Sequence, residues 1–264
     1  YMQAPPEAAV PAGSDEACKS IFDILPESRT KVYDVRKIIT AMADKDSSFE
    51  LKERFGKSIA TVLARLDGKS VGFIANNPMY KGGALDADAV QKVISFMVLC
   101  DSFNVPLVFL VDVPGFLIGV EGEIRGMPGK VINWMNALSQ VTVPKLTVIM
   151  RKDYGQAYIN MAGGKGADEV AVWPTADMGF MDAAVSVNVL HGIKQADDPE
   201  KFAKLKAEVE RDTSAWGLAE LYEAQHVLDP RDTREWLIRT LEVHRKGMKN
   251  GVGEHLLRNW PTSY

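Results

Sequence analysis

Hydrophobic and polar positions change period several times along this chain, and each change marks an element. Apolar residues at helical spacing over 34–42 predict a helix. Apolar runs over 58–66 and 70–75 flank Asp67-Gly68, which predicts two strands joined by a hairpin, because both turn residues tolerate the positive φ of a tight reversal. Helical spacing returns over 86–103. The continuous run 106–111 is too short to cross a membrane and too apolar for a half-exposed strand, so it predicts a buried strand paired in parallel. The outline then repeats: a helix over 130–140, a strand over 145–150, a helix beginning near Ala157, and short strands over 169–172 and 178–181.

Strand and helix alternating in this way predict a layered α/β domain whose parallel strands are joined by helical crossovers. From about residue 199 the pattern is helical and charged, with helices over 200–214, 218–224 and 234–248. Asp232 or Thr233 is available to cap the last of them, and Glu235 suits the dipole of its first turn. Residues 1–28, rich in Pro, Ala, Glu and Ser, read as a linker with one short helical turn around 18–25, and residues 29–264 as a single domain. A start at Tyr1 rather than Met is expected of a fragment, a processed product or a trimmed piece.

Composition narrows the classes. With 264 residues, 46% of them apolar, the chain buries a core without disulfides or a structural metal. A formal net charge of −4 repels phosphate, so nucleic acid is not an expected partner. The two cysteines, Cys18 and Cys100, give neither a disulfide framework nor a metal site, which fits a reducing, cytoplasmic setting. The opening residues lack the pattern of a signal peptide, and no membrane association is expected.

Candidate chemistry lies at two strand ends, because loops converge at the carboxyl ends of parallel strands. One is Asp112-Val113-Pro114-Gly115-Phe116, where Pro and Gly together turn the chain sharply and expose main-chain carbonyls. The other runs from Arg151 through Tyr154-Gly155-Gln156-Ala157-Tyr158 to Met161-Ala162-Gly163-Gly164, a small-residue turn whose first helical N–H groups point outward as an anion nest. Gly82-Gly83-Ala84 is a third turn of this kind. Tight turns and helix packing explain most such motifs taken singly. His191, His226, His244 and His255 lack metal-ligand spacing and are expected in surface or core roles. Asp112 and Glu123 are expected to fix loop geometry or to pair with Arg125 or Arg151. Any chemistry should therefore rest on main-chain groups.

Taken together these segments resemble the C-terminal domain of the carboxyltransferase (β) subunits of propionyl-CoA, acetyl-CoA and related biotin-dependent acyl-CoA carboxylases. The likeness takes in Tyr33-Asp34-Val35-Arg36, Ala75-Asn76-Asn77-Pro78 and Cys100-Asp101-Ser102-Phe103-Asn104-Val105-Pro106-Leu107. It continues through 112–116, Thr142-Val143-Pro144-Lys145, 154–158, Trp173-Pro174-Thr175-Ala176 and Asp229-Pro230-Arg231-Asp232-Thr233-Arg234. The resemblance implies a crotonase-like spiral of ββα units with peripheral C-terminal helices. It also implies carboxyl transfer from carboxybiotin to a short acyl-CoA, this chain supplying the biotin-side half of the site. Implied partners are an N-terminal carboxyltransferase domain, biotin carboxyl carrier protein and biotin carboxylase, in a homo-oligomer that is a dimer or a trimer of dimers.

Carried over residue by residue, the Phe116 carbonyl accepts from a ureido nitrogen and the amides of Gln156 and Ala157 form an oxyanion hole for the ureido oxygen. Gly115 and Gly155 shape the two turns, and Ile159 lies near the acyl group as a specificity candidate. Many relatives carry Gly where Gln156 stands, and Gly126-Met127-Pro128-Gly129-Lys130 replaces their usual stretch before a helix. Two other readings stay open, a biotin-dependent decarboxylase or transcarboxylase subunit and a non-catalytic assembly module. In a eukaryote the compartment implied is the mitochondrial matrix.

Overall fold

In the computed structural model of the protein, which describes residues 3–117, 119–248 and 252–256, the alternation of strand and helix becomes one mixed sheet covered on both faces. The elements in chain order begin with α1 (Ile21–Ile24), α2 (Val35–Met42), β1 (Phe49–Leu51), β2 (Ile59–Leu66), β3 (Lys69–Asn76), α3 (Ala87–Ser102) and β4 (Leu107–Val113). Next come α4 (Val120–Ile124), α5 (Met127–Gln140), β5 (Lys145–Tyr154), α6 (Gln156–Asn160), β6 (Glu169–Val172), β7 (Asp177–Gly179) and α7 (Ala183–His191). The last are α8 (Pro199–Asp212), α9 (Ala215–Glu220), β8 (His226–Val227) and α10 (Thr233–Arg245).

The strands lie in the order β1-β2-β3-β4-β5-β6-β8, with β7 attached to the far end of β5. β1, β2 and β3 are antiparallel neighbours. From β3 onward every pairing is parallel, as the apolar run at β4 predicts, and β4 is buried along its whole length. The β2–β3 reversal is the expected one. Asp67 and Gly68 take φ of 52° and 75°, and a Cβ on Gly68 would fall 2.1 Å from the Ala8 carbonyl oxygen. Only glycine satisfies both conditions.

Alternate side chains of the central strands enter two cores. Phe109, Val111, Val113 and Ile149 meet α3 and α5 through Val93, Met97 and Trp134 on one face. Val108, Leu110, Val148 and Met150 meet α2 and α10 through Ile38, Ile39, Leu237 and Leu241 on the other. Period-2 alternation within a strand apolar on both sides produces this division. The segment read as a linker contributes Cys18, Ile21 and Leu25 to the second core. Cys18 and Cys100 are both buried free thiols.

Several boundaries differ from the expectation. β5 runs four residues past the predicted end at 150, because Val111 pairs with Ile149 but Val113 with Asp153, a bulge that lets the strand continue. The N-terminus of α10 lacks the predicted side-chain cap. Asp232 makes no capping bond, and the Thr233 hydroxyl instead accepts from Trp173 Nε1 at 2.9 Å in the core. The predicted helix over 218–224 is α9, starting three residues earlier, where the Ser214 hydroxyl accepts from the Gly217 amide. α7 was not predicted, since its apolar residues show no single face, although Asp182 caps its start and left-handed Gly192 its end.

The start of α10 is tied to the leading segment by Arg234, which donates to Asp15, to the Met42 carbonyl and to Asp44, each at 2.7 Å. Asp44 also accepts from the amides of Asp67 (3.1 Å) and Gly68 (2.7 Å), so one buried carboxylate joins the hairpin to α10. Replacement Asp44→Ala leaves buried Arg234 with the exposed Asp15 as its carboxylate partner and strips the Asp67 and Gly68 amides of their acceptor. We expect destabilisation of about 3–5 kcal/mol, read as a lower urea midpoint with an unchanged slope.

Candidate active site

β4 and β5 are parallel neighbours, so the two turns singled out in the sequence leave the same edge of the sheet side by side. Phe116 lies three residues past Val113, and Gln156 three past its partner Asp153. Both turns lean on α5. The Phe116 ring meets Trp134 edge-on at 6.2 Å, and the Gln156 carboxamide reaches Met135 Sδ at 3.2 Å. The parallel register thus starts two turns forty positions apart from the ends of neighbouring strands.

At the first turn the Gly115 carbonyl is occupied by the Leu85 amide at 3.0 Å, and the Leu117 amide donates back to Leu85 at 2.9 Å. This bridge holds Phe116 between two paired residues. The Phe116 carbonyl itself meets no donor among the described residues. At the second turn Gly155 has φ 63° and donates to the Gly179 carbonyl at 2.9 Å, which fixes the reversal from β5 into α6. The amides of Gln156 and Ala157 open that helix and meet no acceptor among the described residues. Gln156 is exposed, and Ala157 is buried behind it. A sheltered N–H without an acceptor is uncommon in folded proteins and suits a ligand oxygen.

The remaining sequence candidates fall around this edge. Ile159 is 43% exposed on α6, one helical turn from Gln156. Gly126 adopts φ 65° as the N-cap of α5, with Pro128 in the first turn, so α5 starts three residues earlier than predicted. Gly82-Gly83-Ala84 is a closed turn whose Gly83 and Ala84 amides are bonded to Tyr80 and Lys81. Its role is packing, since a Cβ on Gly83 would stand 2.8 Å from the Asp112 carbonyl oxygen. Of the histidines, His226 and His244 both bond Glu169 at 3.0 Å, away from the turns. Among the described residues no cluster of three or more His, Cys, Asp or Glu could hold a metal ion.

Beneath the turns lies a buried polar group. Asp112 at the end of β4 faces Arg151 on β5, Nε to Oδ2 3.1 Å, with side chains 0% and 2% exposed. Arg125, the other partner considered for Asp112, pairs with Asp88. Arg151 also donates to the carbonyls of Ser28 (3.3 Å), Arg29 (2.9 Å) and Lys31 (3.2 Å), and its guanidinium lies over the Tyr33 ring at 5.2 Å. The Tyr33 phenol is pushed well up by burial and by the Asp112 charge.

Asp153 was read from sequence as part of the turn. It is instead a fully buried strand residue with neither carboxyl oxygen hydrogen-bonded. Burial and the neighbouring Asp112 charge raise its pKa well above the usual carboxylate range. Asn160 also escaped the sequence reading. It is fully buried, accepts from Gln156 Nε2 at 3.0 Å and donates to the Val131 carbonyl at 3.1 Å. The i,i+4 spacing of Gln and Asn on a helix is the signal that would have found it.

Two neighbouring strand ends carry unpaired main-chain donors and an unpaired carbonyl, on a layered α/β sheet. Residues 2–252 match the family described as carboxyl transferase domain. The chain belongs to that family, and its fold is crotonase-like. It is 40% identical over 227 residues to the methylmalonyl-CoA carboxyltransferase 12S subunit of Propionibacterium freudenreichii subsp. shermanii, covering 84% of this chain and 43% of the relative. The biotin-dependent acetyl-/propionyl-coenzyme A carboxylase beta6 subunit of Mycobacterium tuberculosis is 38% identical over 229 residues, 84% of this chain and 48% of that subunit. The methylmalonyl-CoA decarboxylase subunit alpha of Propionigenium modestum is 38% identical over 224 residues, 81% and 43% of the two chains. A crystal structure of transcarboxylase 12S, described as a hexamer assembly with hydrolysed methylmalonyl-coenzyme A bound, superimposes with a TM-score of 0.87 at 34% identity. That match covers 98% of this chain and 51% of the other. The chain thus spans about half the length of the relatives it matches.

The Asp153 carboxyl gives a pH dependence with a definite sign. Its folded pKa lies above the unfolded value of about 3.9, so over that interval the folded state binds the extra proton and stability falls as pH rises. We expect Asp153→Asn to raise the thermal midpoint at pH 7–8 and to lose that advantage near pH 4. Parallel melts of the two proteins across this range check it.

Proposed function

We propose that this chain is the biotin-side half of a carboxyltransferase that moves a carboxyl group between carboxybiotin on a carrier protein and the α carbon of a short acyl-CoA. The observation that carries the reading is the pair of unbonded amides at Gln156 and Ala157 beside the unbonded Phe116 carbonyl, on the edge shared by β4 and β5. Two donors and one acceptor are the complement of a cyclic urea, which offers one oxygen and a ring N–H. Bound carboxybiotin supplies the carboxyl group and, once that has left, a basic ring nitrogen.

Within that site the amides of Gln156 and Ala157 donate to the ureido oxygen, and the Phe116 carbonyl accepts from a ring nitrogen. Gly115 and Gly155 set the two turns, and Ile159 limits the acyl chain. Negative charge on the oxygen makes both amide bonds charge-assisted, so they bind the charged state more tightly than the neutral one. Asp112 under the turn is paired with Arg151, and burial disfavours a charge on Asp153. Residues 29–264 form the carboxybiotin domain, the leading segment packs Cys18, Ile21 and Leu25 into its core, and the acyl-CoA is held by a second crotonase-like domain. Biotin carboxylase and a biotin carboxyl carrier protein complete the assembly, a homo-oligomer in a reducing compartment, the cytoplasm or mitochondrial matrix. The likeness to a methylmalonyl-CoA decarboxylase subunit favours a second reading, the same site run toward decarboxylation.

The test is carboxylation of propionyl-CoA and acetyl-CoA from labelled bicarbonate and ATP, with the carboxylase, carrier and acyl-CoA domain supplied. No incorporation with any thioester, together with no decarboxylation of methylmalonyl-CoA, overturns both readings. Replacement Gln156→Pro removes one of the two donors at a first helical position, where proline is tolerated. We expect turnover to fall by about 10²–10³-fold relative to Gln156→Gly, which loses the same side chain and keeps the amide, at a similar thermal midpoint.

A further inference from the structure

The Gln156 side chain has a fixed hydrogen-bond sense, and its cause lies inside the protein. Asn160 is fully buried, and among the described residues its side chain's one hydrogen-bond partner of definite polarity is the Val131 carbonyl of α5, which accepts and never donates. That carbonyl makes the nearby atom of Asn160 its Nδ2, at 3.1 Å, and leaves Oδ1 as the acceptor facing Gln156. Gln156 must then present Nε2, which donates to Oδ1 at 3.0 Å and also contacts Met135 Sδ at 3.2 Å. An exposed carboxamide would otherwise turn freely and offer either end. Here the nitrogen is held inward, and Gln156 Oε1 has no donor among the described residues.

The same contacts keep the side chain clear of the main-chain amides. Gln156 Nε2 reaches the residue four positions on along α6, so the carboxamide lies along the helix instead of crossing its N-terminus. Met135 adjoins Trp134, on which the Phe116 ring rests, so the carboxamide stands on the α5 surface next to the first turn.

We propose that Gln156 and Asn160 form a ligand-reading pair: the Gln156 carboxamide oxygen accepts from a secondary N–H of the ligand, and Asn160 is the positioning residue that holds that oxygen outward. This rests on the carboxyltransferase reading and adds to it a side-chain contact, at a position where many relatives have glycine. Two ligands of that reaction carry such an N–H: uncarboxylated biotin, whose ureido ring has a second N–H besides the one given to Phe116, and the amides of a coenzyme A pantetheine arm. An acceptor with a fixed sense discriminates for whichever N–H it meets, because a mismatched acceptor or an apolar group leaves the oxygen desolvated and unpaired.

Steady-state kinetics of the assembled enzyme separate the possibilities, with biotinylated carrier and propionyl-CoA varied in turn for wild type, Gln156→Gly, Asn160→Leu and the double variant. We expect Gln156→Gly to raise KM about tenfold for one substrate and to leave the other unchanged, the affected substrate naming the N–H that is read. Asn160→Leu should raise the same KM by a similar factor, and the double variant should do no more than either, since the two residues act as one unit. A KM for both substrates equal to wild type in Gln156→Gly overturns the proposal, and that variant keeps the main chain and so bypasses any folding failure of Asn160→Leu. Equal rises in both KM values in Asn160→Leu, with a lower thermal midpoint, mean that Asn160 is structural and overturn its positioning role. Failure of the wild-type enzyme to transfer carboxyl groups at all sinks the underlying function instead, an outcome distinct from either.

Discussion

The ion pair of Asp112 with Arg151 is the constraint on which the site edge depends. It joins the last turns of β4 and β5 inside the protein, with neither side chain open to water. A buried charge deprived of its partner costs about 3–5 kcal/mol, so the two strand ends are held at one relative height. The pair reaches in three further directions. Asn76 Oδ1 accepts from the Asp112 amide at 3.2 Å and ties in β3, while Asp112 Oδ1 accepts from the Lys152 amide at 3.3 Å beyond the bulge. Arg151 gathers three carbonyls of residues 28–31. Strand ends that would otherwise fray are thereby locked where the two turns begin.

Main-chain chemistry needs this rigidity more than side-chain chemistry does. A side chain can rotate toward its target, whereas an amide goes only where the backbone goes, and a misplacement of 1 Å weakens the bond severely. The bulge in β5, the Gly155 reversal bonded to Gly179 and the Leu85 bridge around Phe116 each fix one part of the main chain. The burial of Asp153 belongs to the same logic. An ionised carboxylate three residues from the Gln156 amide would oppose any anion bound there, and burial beside Asp112 disfavours that form.

α5 is the common support. It carries the Trp134 face for Phe116, the Met135 contact for Gln156 and the Val131 carbonyl for Asn160, so one helix sets the spacing of both turns. Because α5 packs on α3 in the first core, the geometry of the edge is referred to the hydrophobic interior and not to a surface loop. The same arrangement accommodates a glutamine at the start of α6. Its carboxamide is drawn along α6 and bonded, leaving the helix start open.

What the sequence alone determined was the sum of its local signals. Period-2 and period-3.6 patterning located β2 to β6, α2, α3 and α5. Asp67-Gly68 specified its hairpin because positive φ is a property of those residues wherever they stand. The candidate turns at 112–116 and 154–158 were legible for the same reason, as runs of residues that break regular structure. Only the tertiary structure decided what lies between elements. The parallel register that starts both turns from neighbouring strands, the bulge that carries β5 past 150, the unbonded carboxyl of Asp153 and the relay from Val131 through Asn160 all depend on long-range pairing. An aspartate in a turn and an aspartate buried in a strand read alike in one dimension. The environment that separates them is built by residues far away in the chain, and α7 shows the converse, where a helix with caps but no single apolar face gave the pattern nothing to detect.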